Sequence, residues 1–266
     1  MHVIAFAGPS RPAVLDPAID WRPPAAAGDL MCLIEERPDR VVLIDGYFDV
    51  RPAPWHKEIL LLIEQGITVI GAASMGALRA AELAPYGMIG IGAIFSAYRR
   101  GRLVADDEVA VLHAPDALGW RPLTEPLVNV RANILRAVHA HVVAPASARI
   151  ILEIATDLNF RDREWRLILD RARARLGADP IDLLARWLAN HRIDWKARDA
   201  ARAIRFARHG RPADAEPVHT PRTCFLRNLG DHKQIRLPEM RPPVAAGWAR
   251  SDEADGHRIG MHPLTA

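Results

Sequence analysis

The residues best placed to do chemistry lie in the run Gly71 to Leu83, GAASMGALRAAEL, where a lone serine falls between an apolar strand and a helix. The strand is Ile67 to Ile70, β-branched and apolar, and the helix is Ala77 to Leu83, made mainly of strong helix formers. Small residues, Ala72 and Gly76, sit two before and two after Ser74. A sharp strand-to-helix turn that exposes a nucleophile needs such smallness, because the flanking backbone passes close to both elements. The Met75 amide would point from the helix N-terminus toward an oxyanion forming beside Ser74. Two readings stand side by side: Ser74 is a nucleophile, or it caps the helix N-terminus. Ala72 departs from the usual elbow, which has glycine at that place.

The partners such a serine would need are found upstream, in DGYFDVRPAPWHKEIL, Asp45 to Leu60. Pro54 suits a first helical turn, and His56 follows it on the same helix face as Leu60 and Ile63. An imidazole there could take the Ser74 proton and return it to a leaving group, or simply bond backbone at the helix end. Asp45 could orient His56 or cap a turn, and Lys57 offers a serine–lysine alternative. Gly8-Pro9-Ser10 offers amides and a hydroxyl to an anion, and reads equally as a tight turn. Arg79, one helical turn beyond Ser74, suits a substrate carboxylate, while Glu82 reads as structural. In Thr124 to Arg131, Glu125, Asn129 and Arg131 bring an acid, an amide and a guanidinium to an apolar segment. If that segment is a strand, Asn129 and Arg131 share a face and either meet each other or line a site.

Three apolar segments, Val3 to Ala7, Val41 to Ile44 and Ile67 to Ile70, read as parallel strands separated by helices at Asp29 to Glu36 and Pro54 to Gln65. This alternation predicts an α/β protein: an N-terminal open, mostly parallel sheet flanked by helices, followed by a helical C-terminal region. Ligands bind beyond the carboxyl ends of such strands, so the turns at Gly8, Asp45 and Ser74 converge on one edge. Glu108 to His113 and Pro126 to Arg131 read as further strands. The division is an α/β core over 1–145, a helical region over 146–210, and a Pro-rich, loosely ordered tail over 211–266. The tryptophan-bearing stripes of the helical region, Trp165 with Ile168 and Trp187 with Leu184, read as core rather than as docking faces.

The 266 residues carry 35 basic and 32 acidic side chains, a formal charge of +3. Asp and Glu are interleaved with Arg, so a solvated helical surface is expected rather than a nucleic-acid stripe. Cys32 and Cys224 lack any metal-ligand or dithiol spacing, and His219, His232, His257 and His262 are scattered, so neither a metal nor a cofactor is expected. The start MHVIAFAGPS reads as a first strand rather than a signal peptide, and no apolar run reaches membrane-spanning length. The expectation is a cytoplasmic protein without membrane contact.

DGYF at Asp45 to Phe48, WHKEIL at Trp55 to Leu60, GAASMGALRAAEL at Gly71 to Leu83 and TEPLVNVR at Thr124 to Arg131, with FAGPS at Phe6 to Ser10, together resemble TfuA-like proteins. The resemblance implies a role beside a YcaO enzyme, which activates a peptide amide with ATP so that sulfur can replace its oxygen. It also implies, for some members, hydrolysis of the C-terminal thiocarboxylate of a ThiS-like carrier to release sulfide, with a precursor peptide as the eventual acceptor. Ser74 would then attack the acyl carbon and water would resolve the carrier-acyl enzyme. A non-catalytic scaffold for the carrier and the YcaO enzyme, and an ordinary serine esterase, are the alternatives.

Overall fold

A computed structural model describes residues 1–211 and 218–239. The first half alternates strand and helix: β1 Val3–Phe6, β2 Asp20–Arg22, α1 Leu33–Glu36, β3 Arg40–Leu43, α2 His56–Glu64, β4 Thr68–Ala72, α3 Met75–Leu83, β5 Ile89–Ile91 and α4 Ala93–Arg99. The second half is helical, with α5 Leu127–His139, α6 Pro145–Asp157, α7 Trp165–Leu176, α8 Ala178–His191, α9 Trp195–His209 and α10 Cys224–Lys233. The sheet is wholly parallel in the order β2-β1-β3-β4-β5. The chain leaves β1 for β2 on one side and returns to place β3 on the other. That reversal makes the carboxyl ends of β1 and β3 the place where loops diverge and a ligand crevice opens.

Strand side chains alternate between two cores, as a sheet covered on both faces requires. Ile4, Phe6, Val41, Leu43 and Val69 pack with α1 and α2, while Val3, Ala5, Val42, Ile44, Ile70 and Ala72 meet Ala200, Ala203, Ile204 and Ala207 of α9. The alanine stripe on α9 lets that helix lie close against the strands. Helices α5 to α8 bury their own stripes, Trp165, Ile168, Leu184 and Leu188 among them, in a separate helical core. The boundary read near residue 146 is therefore crossed by α9, which belongs to the sheet.

The structure corrects three readings. Pro126 to Arg131 opens α5 instead of forming a strand: Leu127, Val130, Ile134 and Ala137 recur at helical spacing and are all buried, and Pro126 stands just ahead of the first turn. Glu108 to His113 is no strand: Glu108 ends a short 3₁₀ turn, Asp106–Glu108, and the rest makes one isolated bridge, His113 with Pro122. The reading of residues 211–266 as a loose tail fails where they are described before residue 240. There α10 buries Leu226 in the α1–α2 core, Arg222 just ahead of it pairs with Glu64 at 2.7 Å, and Lys233 at its end pairs with Asp29 at 3.2 Å. His257 and His262 lie outside the described residues.

Register aligns the loops that matter. Phe6 pairs with Leu43 and Leu43 with Gly71, so the segments after β1, β3 and β4 leave the sheet in one row. Two glycines allow α3 to start directly on the sheet: a Cβ on Gly76 would overlap the Leu43 carbonyl, and one on Gly71 would overlap the Gly76 carbonyl. Gly76→Ala should therefore cost at least about 3 kcal/mol or prevent folding, because backbone on both sides must move. Gly66→Ala meets nothing nearby and bears only the left-handed backbone penalty of about 1–2 kcal/mol. Urea unfolding of the two variants checks the difference, and equal losses would contradict the close approach of α3.

Candidate active site

Ser74 sits on a strained turn. Ala73 adopts φ +66°, and the Ser74 amide donates back to the Ala72 carbonyl at 2.8 Å, closing a γ-turn between β4 and α3. A non-glycine residue held there costs about 1–3 kcal/mol, a strain concentrated at functional sites. The Ser74 side chain is 2% exposed and makes no capping bond to α3. Among the described residues its hydroxyl has no hydrogen-bond partner, nor has the Met75 amide. The capping reading of Ser74 therefore lacks its defining contact.

Ser74 lines a cavity of about 110 Å³ together with Asp45, Tyr47, His113, Phe160 and Lys196. Asp45 is held from below by the turn after β1: its Oδ2 accepts from the Gly8 and Ser10 amides, both at 2.8 Å, and its Oδ1 from the Ser10 hydroxyl at 2.7 Å. The anion cradle expected at Gly8 and Ser10 is thus filled by the chain's own carboxylate. These two residues hold Asp45 and do not line the cavity.

Asp45 orients a lysine rather than a histidine. Lys196, at the start of α9 and 3% exposed, places its Nζ 3.9 Å from Asp45 Oδ1 and donates to the Val109 carbonyl at 2.8 Å. Burial pushes its ammonium below the ordinary lysine value, opposed by the charges of Asp45 and Asp194. With one hydrogen bond for three N–H donors, the charged form is under-solvated, which makes the amine easier to deprotonate than an exposed lysine.

Helix α9 is fixed from several directions. Asp194 caps it through the Ala197 amide at 3.0 Å, and Asn129 of α5 bonds both the Asp194 carboxylate at 3.1 Å and the Trp195 amide at 2.9 Å. Asn133 holds both backbone groups of Ile193. Asp199, its carboxyl pushed up by burial, accepts from the Ile94 amide at 2.8 Å, and Arg40 donates to the Phe206 and Ala207 carbonyls at the far end. The Asn129 singled out in the sequence serves as a clamp for the element that carries Lys196.

The other expected residues lie elsewhere. His56 bonds Glu82 at 2.7 Å on the exposed side of α2 and α3, and Arg79 bonds the same carboxylate at 2.8 Å. Lys57 reaches Thr223 at 3.1 Å, toward the C-terminal segment. Neither His56 nor Lys57 lines the Ser74 cavity. Arg79 borders a neighbouring surface hollow with Met75 and Phe48. Arg131 pairs with Glu108 rather than with Asn129. Glu125, its carboxyl pushed up by burial against the pull of Arg192, lines a second cavity of about 240 Å³ that meets the first at Pro9, Val111 and Lys196. Gly76 serves packing, as described above.

Lys196 escaped the sequence reading, although a signal was present. Only three lysines, Lys57, Lys196 and Lys233, stand among the 35 basic residues. In a chain that otherwise uses arginine, a lysine at the head of an alanine-rich helix marks a place for an amine that can lose its proton. His113 lies in an irregular loop and carries no comparable signal.

Fold and site define a parallel α/β protein with a serine on a strained strand-to-helix turn that shares a cavity with a buried lysine. The family model described as TfuA-like protein matches residues 45–164, and over that segment the chain is similar to TfuA-like proteins. Asp45, Ser74 and His113 fall inside the match, while the Gly8–Ser10 turn and Lys196 fall outside it. Comparison with curated proteins returns no match. Among the described residues no helix is long and apolar enough to cross a membrane, and no group of three His, Cys, Asp or Glu side chains could hold a metal.

The lowered proton affinity of Lys196 has a signed consequence for stability. The folded state pays for the charged lysine in full below the folded value, and the penalty disappears as pH rises toward the ordinary lysine value. Wild type should therefore gain stability relative to Lys196→Met as pH is raised through that window. Denaturant unfolding of both proteins at several alkaline pH values measures the difference, and a pH-independent difference would contradict the assignment.

Proposed function

We propose that the protein hydrolyses the C-terminal thiocarboxylate of a ThiS-like sulfur carrier and supplies the sulfide to a YcaO enzyme for backbone thioamidation. The TfuA-like segment supports the YcaO-associated setting. The observation that carries the chemistry is the Ser74 hydroxyl, unbonded on a strained turn and sharing a cavity with a buried lysine. With His56 and Lys57 bonded elsewhere, the base assigned to Ser74 is Lys196.

In this reading neutral Lys196 takes the Ser74 proton as Oγ attacks the thiocarboxylate carbon. The Met75 amide, at the positive end of α3, stabilises the oxygen that gains charge. The lysine ammonium then gives its proton to sulfur as the C–S bond breaks, hydrosulfide leaves, and the carrier remains as an ester on Ser74. Water hydrolyses that ester, returning the serine and a carrier carboxylate. Asp45 keeps the amine in place throughout, itself fixed by Gly8 and Ser10.

Ser74→Ala should abolish sulfide release, by at least about 10³-fold, with little loss of stability, since the hydroxyl makes no bond in the fold. Lys196→Arg should show a comparable kinetic defect, because a guanidinium cannot give up its proton. His56→Ala should stay within about threefold of wild type. Sulfide release and carrier binding are measured separately on each purified protein. Unchanged release by Ser74→Ala would sink nucleophilic catalysis, and carrier binding without wild-type release would favour the scaffold reading.

A further inference from the structure

We propose that His113 is the base that activates water to hydrolyse the Ser74 ester, a second proton carrier distinct from Lys196; this rests on the hydrolytic reading given above. His113 lines the same cavity as Ser74 and Lys196. Its Nδ1 lies 2.9 Å from the Ala114 carbonyl oxygen, and a carbonyl only accepts, so Nδ1 carries the proton. In the neutral ring Nε2 is then the lone-pair nitrogen, and no side chain or backbone group among the described residues donates to it. An imidazole held in that tautomer is poised to accept a proton rather than to donate one.

The ring is also held in position. It packs between Trp120 and Tyr47, with ring centroids at 5.4 and 6.3 Å. Its backbone is pinned on both sides: the Ala114 amide donates to the Arg121 carbonyl at 2.9 Å, and the Leu112 amide to the Thr124 hydroxyl at 2.8 Å. Once Lys196 has returned its proton to sulfur it is neutral again, with its Nζ bonded to the Val109 carbonyl and beside Asp45.

The step balances without any further reactant. Water loses a proton to His113 Nε2 as its oxygen bonds the ester carbon. The tetrahedral intermediate collapses with cleavage of the bond to Ser74 Oγ, which takes the proton from the imidazolium. The carboxylic acid product releases its remaining acidic proton to solvent.

The experiment uses the full chain and a synthetic peptide ending in a glycyl-glycine thiocarboxylate, with sulfide followed over the first and later turnovers and protein mass followed in parallel. His113→Phe keeps an aromatic ring between Tyr47 and Trp120, and His113→Asn provides a second, smaller variant. Both should release about one equivalent of sulfide at a rate within a few-fold of wild type, then slow in later turnovers by about 10²-fold or more. The peptidyl ester on Ser74 should accumulate as a mass increase equal to the acyl group. Steady turnover by both variants within about threefold of wild type would overturn the proposal, as would equal loss of the first and later turnovers. Absence of any release by the wild type would overturn the hydrolytic reading itself, and this proposal with it.

Discussion

The contact on which the site depends is the clasp between the turn after β1 and the carboxylate after β3. Asp45 is taken out of water by the sheet edge, and three donors from Gly8 and Ser10 replace its hydration. An unpaired buried carboxylate would be expensive, whereas one accepting three hydrogen bonds is secure. Because those donors come from the neighbouring strand, the clasp also locks the crevice between β1 and β3. Lys196 then meets a carboxyl group whose position is fixed by those donors.

The remaining architecture fixes the helix that carries that lysine into the cavity it shares with Ser74. Helix α9 comes from far along the chain, yet its alanine face packs on β3 and β4, and its ends are tied to α5, α4 and the sheet. The interglycine approach of β4 and α3 places Ser74 where the register already aligns the loops after β1 and β3. Binding energy from packing, spread over many residues, is thus used to hold two groups in states they would not choose alone: a serine on a strained turn and a lysine short of partners. Such states persist only where the surroundings over-determine them.

Much of the sheet could be read from the sequence because its inner strands are continuous apolar runs ending in small or polar turns. The two edge strands could not: Asp20–Arg22 is polar and Ile89–Ile91 is three residues long with a central glycine. Ser74 and Asp45 were legible because each follows a strong strand. His56 also looked right, since it begins a helix near the same edge, but the sequence does not show that Glu82 and Arg79 lie within reach to hold it on the outer surface. Lys196 was hidden because its meaning depends on long-range packing of α9. Local patterns report which face of a helix is apolar, not which strand that face will cover. The segment from Pro126 misled for a related reason, since three apolar residues near its start imitate alternation until Ile134 and Ala137 reveal the helical period.

The central claim is that Ser74 is an activated nucleophile, and direct covalent labelling addresses it without any assumption about the natural substrate. The purified protein is treated with a small fluorophosphonate, and intact-mass analysis with peptide mapping locates the adduct. The account predicts a single adduct on Ser74, formed more slowly as pH is lowered and Lys196 becomes protonated, and strongly slowed in Lys196→Arg. A folded protein that takes up no label at Ser74, while remaining fully reactive or inert elsewhere, would contradict it.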